Sequence, residues 1–423
     1  MERKFKKTIL PSGVRVVSEY HPEARSVALG IWANLGTRHE PADQVGISHL
    51  LEHMVFKGTK TRSAYQISKS LEALGGDLNA FTSREHTCYH ALVLKDFWLQ
   101  AFEVLSDLTT KMQFTKKDFN LEKNVIIQEI AMSEENPEDF VYDLFFETCY
   151  HGNPLGRSIL GSIKTISKMS MGQIYRHYRN NYLGENLLVS AAGNIDHEEL
   201  VQEARKIWGY KKRPLKIIRP ERPRWKSARK IKEKDTEQVH FLVGLPFPGM
   251  NSKLRFHSII VNAALGGGMT SRLYQSIREK RGLAYSIYSS VNTFADTGLL
   301  NIYAGVDGEK LEKLVDLVRI ELLRLRKVGL KPAEVESYKT QVIGQLLLGS
   351  DDTDNRMNSI AINEFVFGKY NSPEAIVEKI KSITPKEINQ FIRDWIKPEK
   401  ISGVLMGPEL SNKHEWWKKV SFE

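Results

Sequence analysis

A faint internal duplication is the feature that most limits how this chain of 423 residues can fold. The stretch MSMGQIYRHYRNNYLGENLLVSAAG ends at Gly193, and the stretch ITPKEINQFIRDWIKPEKISGVLMG ends at Gly407, an offset of 214 residues. Each stretch opens with a capping box, at Ser170 or Thr384, and continues as an amphipathic helix followed by a short apolar strand. An offset of about half the chain length predicts two domains of one fold.

The predicted elements indicate the fold class of each domain. The patterns typical of strands occur in SVALGIWANLG, EHTCYHALVL, QVHFLVGLPF and GLLNIYAGV. The 3.6-residue period of amphipathic helices occurs in FWLQAFEVLSDLTTKM and EKLVDLVRIELLRLRKVG. We expect an α+β fold with two tandem homologous domains, each with helices packed on a mostly antiparallel sheet. The predicted boundaries are 1–210 for the first domain, 211–234 for a linker and 235–423 for the second domain.

The predicted linker carries the excess charge of the chain. The formal net charge is +10 at pH 7, and the tract from Lys211 to Lys234, KKRPLKIIRPERPRWKSARKIKEK, holds twelve Lys or Arg against two Glu. The remainder of the chain is therefore formally neutral. A basic tract interrupted by prolines is typical of a solvated, extended linker, so we expect no nucleic-acid partner.

The cysteine content and the N-terminus indicate the compartment. Cys88 and Cys149 are the only cysteines, which argues against a disulfide framework and favours a reducing compartment. The first twenty residues run into a strand-like pattern without an apolar segment of the kind found in signal peptides. No window approaches eighteen consecutive apolar residues. We expect a cytoplasmic protein with no membrane partner.

The stretch GISHLLEHMVFKGT, residues 46–59, predicts a helix with chemically active side chains and with Asp43 as a possible N-cap. Its apolar residues recur at i, i+3, i+4, i+7 and i+8, and this pattern gives the helix one buried face. His49, Glu52 and His53 fall on the opposite face. Because His49 and His53 are one turn apart, both imidazoles can bind one metal ion with Glu52 beside them. Two nitrogen ligands and an adjacent carboxylate are what a hydrolytic zinc ion needs.

A catalytic zinc ion usually has a third protein ligand. The segment TKKDFNLEKNVIIQEIAMSEENPED predicts a helix on which Glu122 and Glu129 are two turns apart on one face, and either could reach the ion. A separate candidate metal site is the strand EHTCYHALVL, which places His86, Cys88 and His90 on one face. Polar residues on a half-exposed strand are the favoured interpretation of that trio.

These motifs resemble those of the inverzincin metallopeptidases, which include pitrilysin, insulysin and the mitochondrial processing peptidase, and most of all their short bacterial homologues. The inverted H-x-x-E-H order carries the resemblance, together with LNAFTSREHTCYH, YHGNPLGRSILGS and LGGGMTSRLYQSIREKRGLAYSIYS. The resemblance implies that Glu129 is the third ligand, that Glu122 supports the site and that each chain binds one zinc ion. It further implies that the second domain is a degenerate copy without metal.

The second domain contains three features that resemble the family pattern. Gly266, Gly267 and Gly268 are similar to its glycine-rich loop, and they indicate either a flexible substrate-facing loop or a simple hinge. Arg278 and Tyr285, seven residues apart, resemble the family's Arg and Tyr that hold substrate against the zinc ion. Both side chains can donate hydrogen bonds to a substrate carbonyl. Since the family builds a chamber from four such domains, the resemblance implies a homodimer in which this pair completes the partner's site.

The resemblance also implies where a peptide substrate binds. Asn79, Ala80 and Phe81 are similar to an edge strand that pairs with the substrate main chain. Asp139 and Asp143 match positions at which processing peptidases hold a basic residue near the cut. An exposed acidic helix face is the alternative interpretation of these two aspartates.

The expected function is zinc-dependent endopeptidase activity on unfolded or extended peptides, with a preference for basic residues near the cut. Glu52 is the expected base. The alternative is a non-catalytic chamber or core subunit of a larger complex. Family relatives of that type lose their metal residues, whereas the complete set is present in this sequence, which favours the enzyme.

Overall fold

The computed structural model describes residues 4–210, 220–419 and 422, which form two compact units. Among these residues, unit 1 draws on Met1–Ala131, Arg157–Pro220 and Leu348–Asn371. Unit 2 draws on Met132–Gly156, Glu221–Leu347 and Ser372–Glu423. Each unit therefore takes one segment from the other half of the sequence.

The strands of the described ranges belong to two sheets. They are β1 (Lys4–Ile9), β2 (Arg15–Tyr20), β3 (Ser26–Ala33), β4 (Asp77–Thr82), β5 (Thr87–Leu94), β6 (Leu187–Gly193), β7 (Arg229–Glu233), β8 (Val239–Phe247), β9 (Ala284–Thr293), β10 (Gly298–Val306) and β11 (Ser402–Gly407).

Helices connect and cover these strands. They are α1 (Ile47–Val55), α2 (Ala64–Glu72), α3 (Trp98–Thr110), α4 (Lys116–Glu135), α5 (Pro137–Cys149), α6 (Ile163–Lys168), α7 (Met171–Asn181), α8 (His197–Trp208), α9 (Arg255–Leu265), α10 (Leu311–Val328), α11 (Pro332–Gly349), α12 (Thr353–Phe367), α13 (Pro373–Ser382), α14 (Pro385–Trp395) and α15 (His414–Lys419). A π-helical segment, Tyr274–Glu279, precedes β9.

The two sheets share one topology. In unit 1 the strand order is β1-β2-β6-β3-β5-β4, and in unit 2 it is β7-β11-β8-β10-β9. The pairs β2/β6 and β7/β11 are parallel, and all other neighbouring pairs are antiparallel. Strands β2-β6-β3-β5-β4 thus correspond one by one to β7-β11-β8-β10-β9. The prediction of two homologous α+β domains with mostly antiparallel sheets is confirmed.

The duplicated segments form the same structure in each unit. Helices α7 and α14 both begin with a capping box, in which the hydroxyl of Ser170 or Thr384 accepts an N–H from the third helical residue. The following strands β6 and β11 are completely buried. Because both strands pair on each side, their apolar and small residues lie at the centre of a sheet. The duplication therefore marks the middle of each core.

One face of each sheet is covered by a helix that comes from the other half of the chain. In unit 1, α12 packs on β2, β3 and β6, with Met357, Ile360 and Ala361 against Trp32 and its neighbours. In unit 2, α5 packs on β8 and β11. The opposite faces carry the larger apolar cores. The two halves have thus exchanged one helix each.

This exchange changes the domain description. The units differ from the predicted contiguous domains 1–210 and 235–423, because Met132–Gly156 and Leu348–Asn371 each complete the other unit. Within the predicted linker, residues 211–219 lie outside the described residues. Arg229–Glu233 form strand β7 in parallel register with β11, so this part of the predicted linker belongs to a sheet.

A buried ion pair fixes the exchanged helix α12 to the sheet of unit 1. The Arg356 guanidinium donates two hydrogen bonds to Glu19, at 2.9 Å to Oε1 and 2.5 Å to Oε2, and the Tyr370 hydroxyl donates a third at 2.8 Å. His21 Nε2 lies 2.7 Å from Oε1. Burial opposes ionisation of Glu19, but the hydrogen bonds from His21 and Arg356 outweigh it and lower its pKa to about 2.

None of the helices in the described ranges is long and apolar enough to cross a membrane.

Candidate metal centre

Helix α1 begins in a sharp turn that is held by a buried carboxylate. Gly46 precedes the helix with φ +92°, a conformation that L side chains rarely adopt, and an added Cβ would lie 2.7 Å from the Leu160 carbonyl oxygen. Glu40 accepts the N–H groups of Gly46 and Ser48, each at 2.8 Å. Burial raises the pKa of Glu40 to about 7. The expectation that Asp43 caps the helix is wrong, because Asp43 lies in a preceding 3₁₀ turn and Glu40 binds the free N–H groups instead.

Three side chains of unit 1 converge at a possible metal-binding site. Helix α1 buries its apolar stripe and directs His49 and His53 away from it, with ring centroids 4.7 Å apart. Glu129 Oε2 on α4 lies 3.9 Å from His49 Nε2 and 3.5 Å from His53 Nε2. The three ligand atoms lie within 4.8 Å of one another. In the described part of the chain, no other group of three or more His, Cys, Asp or Glu side chains brings its ligand atoms close enough together to hold one metal ion.

Glu122 supports this cluster from behind. Its Oε2 lies 3.0 Å from His53 Nδ1, so Nδ1–H donates a hydrogen bond to the carboxylate. The other ring nitrogen, Nε2, then faces Glu129. Lys57 contacts the other oxygen, Oε1. Burial raises the pKa of Glu122, but the hydrogen bonds from His53 and Lys57 outweigh it and lower the pKa. Helical spacing alone allowed either Glu122 or Glu129 to be the third ligand. The structure places Glu129 among the ligand atoms and Glu122 behind His53.

The surroundings of the two histidines shift their pKa values in opposite directions. Burial, with a smaller contribution from the neighbouring His53, lowers the pKa of His49 to about 4, so its imidazole is neutral at neutral pH. Burial also disfavours the cation of His53, yet the hydrogen bond to Glu122 and the charge of Glu129 outweigh it and raise its pKa.

Glu52 lies on the same helix, between the two histidines in sequence. Its Oε2 accepts a hydrogen bond of 2.5 Å from the Thr82 hydroxyl at the end of β4. Burial raises the pKa of Glu52, while the hydrogen bond from Thr82 and the charge of His53 oppose that rise. A carboxylate on the same helix as the two histidines, with its pKa raised by burial, is a suitable group to accept and return a proton.

The predicted substrate-binding residues lie on an edge strand. Asn79, Ala80 and Phe81 belong to β4, which pairs with β5 on one side and forms the end of the sheet among the described strands. Phe81 is 37% exposed and lies edge-on to Trp32. The Asn79 side chain accepts the N–H of Ala80 at 2.8 Å, so one main-chain donor of this edge is bonded locally.

The alternative metal trio does not come together as a ligand set. His86 is buried and stacks on Phe365 with centroids 4.6 Å apart, and burial lowers its pKa to about 3. Cys88 is completely buried in the core beneath α12. His90 Nδ1 lies 3.6 Å from a carboxylate oxygen of Asp354. These residues pack the α12 face of the sheet, so the strand is not half-exposed at this point as the favoured interpretation supposed, although a structural role does replace metal binding.

Arg278 and Tyr285 lie together in unit 2. The Arg278 guanidinium is over the Tyr285 ring at 4.9 Å and over the Tyr274 ring at 5.0 Å. Tyr285 is 76% exposed. The register between β9 and β10 shifts at this point, because Ser286 faces Gly305 and the next pair is Ala284 with Val306, so Tyr285 is the extra residue of a β-bulge. A bulge redirects the side chain that it contains.

The glycine-rich loop follows α9 in unit 2. An added Cβ on Gly266 would lie 2.5 Å from the Ser289 main-chain nitrogen, and the Gly266 carbonyl accepts the Ser289 N–H at 3.0 Å. Gly267 is close to the last turn of α9, whereas the nearest atom to a Cβ on Gly268 is Gln341 Nε2 at 3.5 Å. Gly266 thus permits a close approach of the loop to β9.

Asp139 and Asp143 lie on α5 in unit 2. Asn136 caps this helix and donates from its side chain to Asp139 Oδ2 at 2.8 Å. Asp139 is exposed and Asp143 is half-buried. An acidic residue in the first turn stabilises a helix through the helix dipole. This role explains an aspartate at position 139 without any contact to a substrate.

Two residues of the site were not found from the sequence. Lys57 follows α1 and contacts Glu122, and Thr82 reaches Glu52 from a strand 30 residues away. Neither contact obeys a spacing rule along one helix or strand. Both depend on how α1 packs against α4 and β4, so no local pattern could have indicated them.

Comparison with known families identifies the fold. Residues 15–163 match the sequence profile of insulinase (peptidase family M16), and residues 168–342 match that of the peptidase M16 inactive domain. The chain belongs to peptidase family M16. The first match contains the metal cluster and Glu52, and the second contains Gly266, Arg278 and Tyr285.

Relatives over nearly the whole length carry protease names. An uncharacterized zinc protease of Streptomyces coelicolor is 38% identical over 97% of this chain and 92% of its own length. The uncharacterized zinc protease YmxG of Bacillus subtilis is 35% identical over 92% of this chain and 95% of its own length. A protease from Helicobacter pylori has the same fold, with a TM-score of 0.89 at 20% identity over 96% of this chain and 100% of its own.

The residues of this M16 chain fit a zinc ion. Glu129 Oε2 is buried and has no hydrogen-bond partner among the described residues, although two imidazole nitrogens face it. A buried carboxylate oxygen without a partner is costly unless a cation compensates it. Two imidazole nitrogens and one carboxylate oxygen are a known ligand set for catalytic zinc. His49, His53 and Glu129 would hold the ion.

Proposed function

We propose that this M16 chain is a zinc-dependent endopeptidase that hydrolyses unfolded or extended peptides. The observation that carries the proposal is the convergence of His49, His53 and Glu129 within 4.8 Å, with Glu52 on the same helix as the two histidines. Glu129 Oε2 faces two imidazole nitrogens and has no hydrogen-bond partner among the described residues, which supports a cation at this point, and the names of the relatives support zinc as that cation.

The side chains have separate roles in the proposed reaction. His49, His53 and Glu129 would hold the zinc ion, which would supply Lewis-acid chemistry by lowering the pKa of a water molecule and polarising the scissile carbonyl. Glu52 accepts the proton of the attacking water at its carboxylate and delivers it to the nitrogen of the leaving amine. Glu122 keeps His53 in the tautomer that presents Nε2.

The edge strand supplies the proposed peptide site. Main-chain groups of Asn79, Ala80 and Phe81 pair with an extended substrate by strand addition, which is largely independent of its side chains. Strand β4 carries no lysine or proline, the residues that commonly protect a sheet edge from pairing. Unfolded or extended peptides are the substrates that such an edge accepts.

The replacement of Glu52 by Gln tests the proposal. We expect digestion of a peptide library to slow by about 10²–10⁴-fold in Glu52→Gln while zinc content is unchanged, since the amide cannot take the proton. A chelator should stop the wild-type reaction, and added zinc should restore it. Glu72→Gln, at an exposed position of α2, is the matched control. Activity that survives in Glu52→Gln would refute the assigned role.

We also propose a homodimer in which Arg278 and Tyr285 of one chain complete the zinc site of the other. The exposed Tyr285 ring and the guanidinium stacked on it are available as hydrogen-bond donors to a substrate carbonyl. Mixing a His53→Ala chain with a Tyr285→Phe chain should restore partial activity, because one of the two sites in the mixed dimer is then intact. No recovery would contradict shared sites.

A non-catalytic chamber or core subunit of a larger complex is the second candidate function. Full zinc binding without hydrolysis of any library peptide would favour it.

The preference for basic residues near the cut rests on Asp139 and Asp143, and unchanged rates on basic peptides in the double Ala variant would remove it. A cytoplasmic location stays a prediction, supported by the unpaired and buried Cys88 and Cys149.

A further inference from the structure

The contact between Thr82 and Glu52 joins two parts of the proposed site. Thr82 is the last residue of β4, and its hydroxyl lies 2.5 Å from Glu52 Oε2. Since a carboxylate only accepts, the hydroxyl donates. A hydroxyl-to-carboxylate hydrogen bond of this length is of the strong, charge-assisted kind. Thr82 and Glu52 are both half-buried, which limits competition from water.

The strand holds the Thr82 hydroxyl on the side of the base. Side chains alternate along β4, so Ala80 and Thr82 share the face that α1 covers, whereas Phe81 lies against Trp32 on the other face. Thr82 faces Thr87 in the register with β5, with the hydroxyl oxygens 3.4 Å apart. The position of the hydroxyl is therefore set by sheet pairing.

We propose that Thr82 is a positioning residue for Glu52. Its hydroxyl holds Oε2 and leaves Oε1 for the proton transfer, an assignment that rests on the proposed peptidase function. The main chain of the same strand is the proposed pairing edge for substrate. One strand thus aligns both the peptide and the base, and Thr82 is the side chain through which β4 acts on Glu52.

Three variants test this role in steady-state peptide hydrolysis. Thr82→Val keeps the shape of the side chain and removes the donor, and we expect kcat to fall about tenfold with KM unchanged. Thr82→Ser keeps the donor and should stay within about threefold of wild type. Thr109→Val is the control, because it removes a buried hydroxyl of α3 that donates to the Leu105 carbonyl at 3.0 Å, on a different element from Thr82 and Glu52.

The kinetic outcomes separate positioning from a purely structural role. Loss of kcat in Thr82→Val with recovery in Thr82→Ser supports the proposal. It is overturned if Thr82→Val behaves like Thr109→Val, if KM rises with kcat unchanged, or if Thr82→Val loses zinc affinity in a chelator competition.

A crystal structure of each Thr82 variant gives a readout that needs no activity. We expect the Glu52 carboxylate to leave its position in Thr82→Val and to keep it in Thr82→Ser. An unmoved carboxylate in Thr82→Val overturns the proposal. If the wild type binds zinc but cleaves no peptide, the peptidase function fails, and this structural comparison still decides whether Thr82 positions Glu52.

Discussion

Replacement of Glu122 by Gln should weaken zinc binding without abolishing it. The Glu122 side chain is 6% exposed, so solvent screens its hydrogen bond from His53 Nδ1 very little. A hydrogen bond to a charged group contributes about 1.5–3 kcal/mol and a neutral one about 0.5–1.5 kcal/mol. The difference of about 1–2 kcal/mol corresponds to a loss of about 5- to 30-fold in zinc affinity, which overlaps the range of about 10- to 100-fold that is typical of residues that orient metal ligands.

Competition with a chromophoric chelator, on protein first stripped of metal, measures this affinity. Glu135→Gln is the matched control, because it makes the same change at an exposed position of the same helix, α4, and should bind zinc like wild type. Glu129→Gln should lose far more affinity than Glu122→Gln, since it replaces a ligand. Two results would refute the reasoning: Glu122→Gln equal to Glu135→Gln, or Glu122→Gln as weak as Glu129→Gln, which would make Glu122 the ligand.

Two further predictions concern stability. The pKa of Glu19 is about 2, compared with an ordinary value of 4.5. This difference corresponds to about 3 kcal/mol in the free energy of unfolding, which is present above pH 4.5 and is lost as the pH falls toward 2. Glu19→Gln should lose this stabilisation, which faster hydrogen exchange in α12 would reveal. Glu198→Gln, which removes an exposed ion pair, is the control and should leave the exchange in α12 unchanged. Equal exchange in the two variants would contradict the prediction. Gly266→Ala should lower the free energy of unfolding in urea by about 1–3 kcal/mol, because its Cβ meets the Ser289 main chain. Gly268→Ala is the control, because its Cβ would make only an ordinary van der Waals contact with the Gln341 side chain.

The local parts of the site followed from periodicity. The apolar stripe of α1 determines which face is buried, so the side on which His49, Glu52 and His53 lie could be read from spacing alone. Spacing also placed Glu122 and Glu129 on one face of α4, yet it could not rank them. The choice depends on the distance of each carboxylate from the histidines, which is a property of how two helices pack.

The fold shows the same division between local and long-range information. The duplication predicted two copies of one fold, because the repeated capping boxes and central strands are local signals. The exchange of α5 and α12 left no such signal, since a helix has the same apolar pattern whichever sheet it covers. Strand β7 was missed because its basic sequence and nearby prolines are typical of a linker, and its pairing with β11 overrides that composition.

The exchanged helix α12 has a consequence for how the chain is made. The sheet of unit 1 is complete in sequence once β6 ends at Gly193, but the helix that covers one face starts at Thr353. At about 5–20 residues per second, a ribosome needs roughly 8–30 s to produce the segment between them. During that time Trp32 and its apolar neighbours have no cover. We therefore expect the nascent chain to expose this apolar face to chaperones, and a chain released before α12 emerges to aggregate more readily than the full chain.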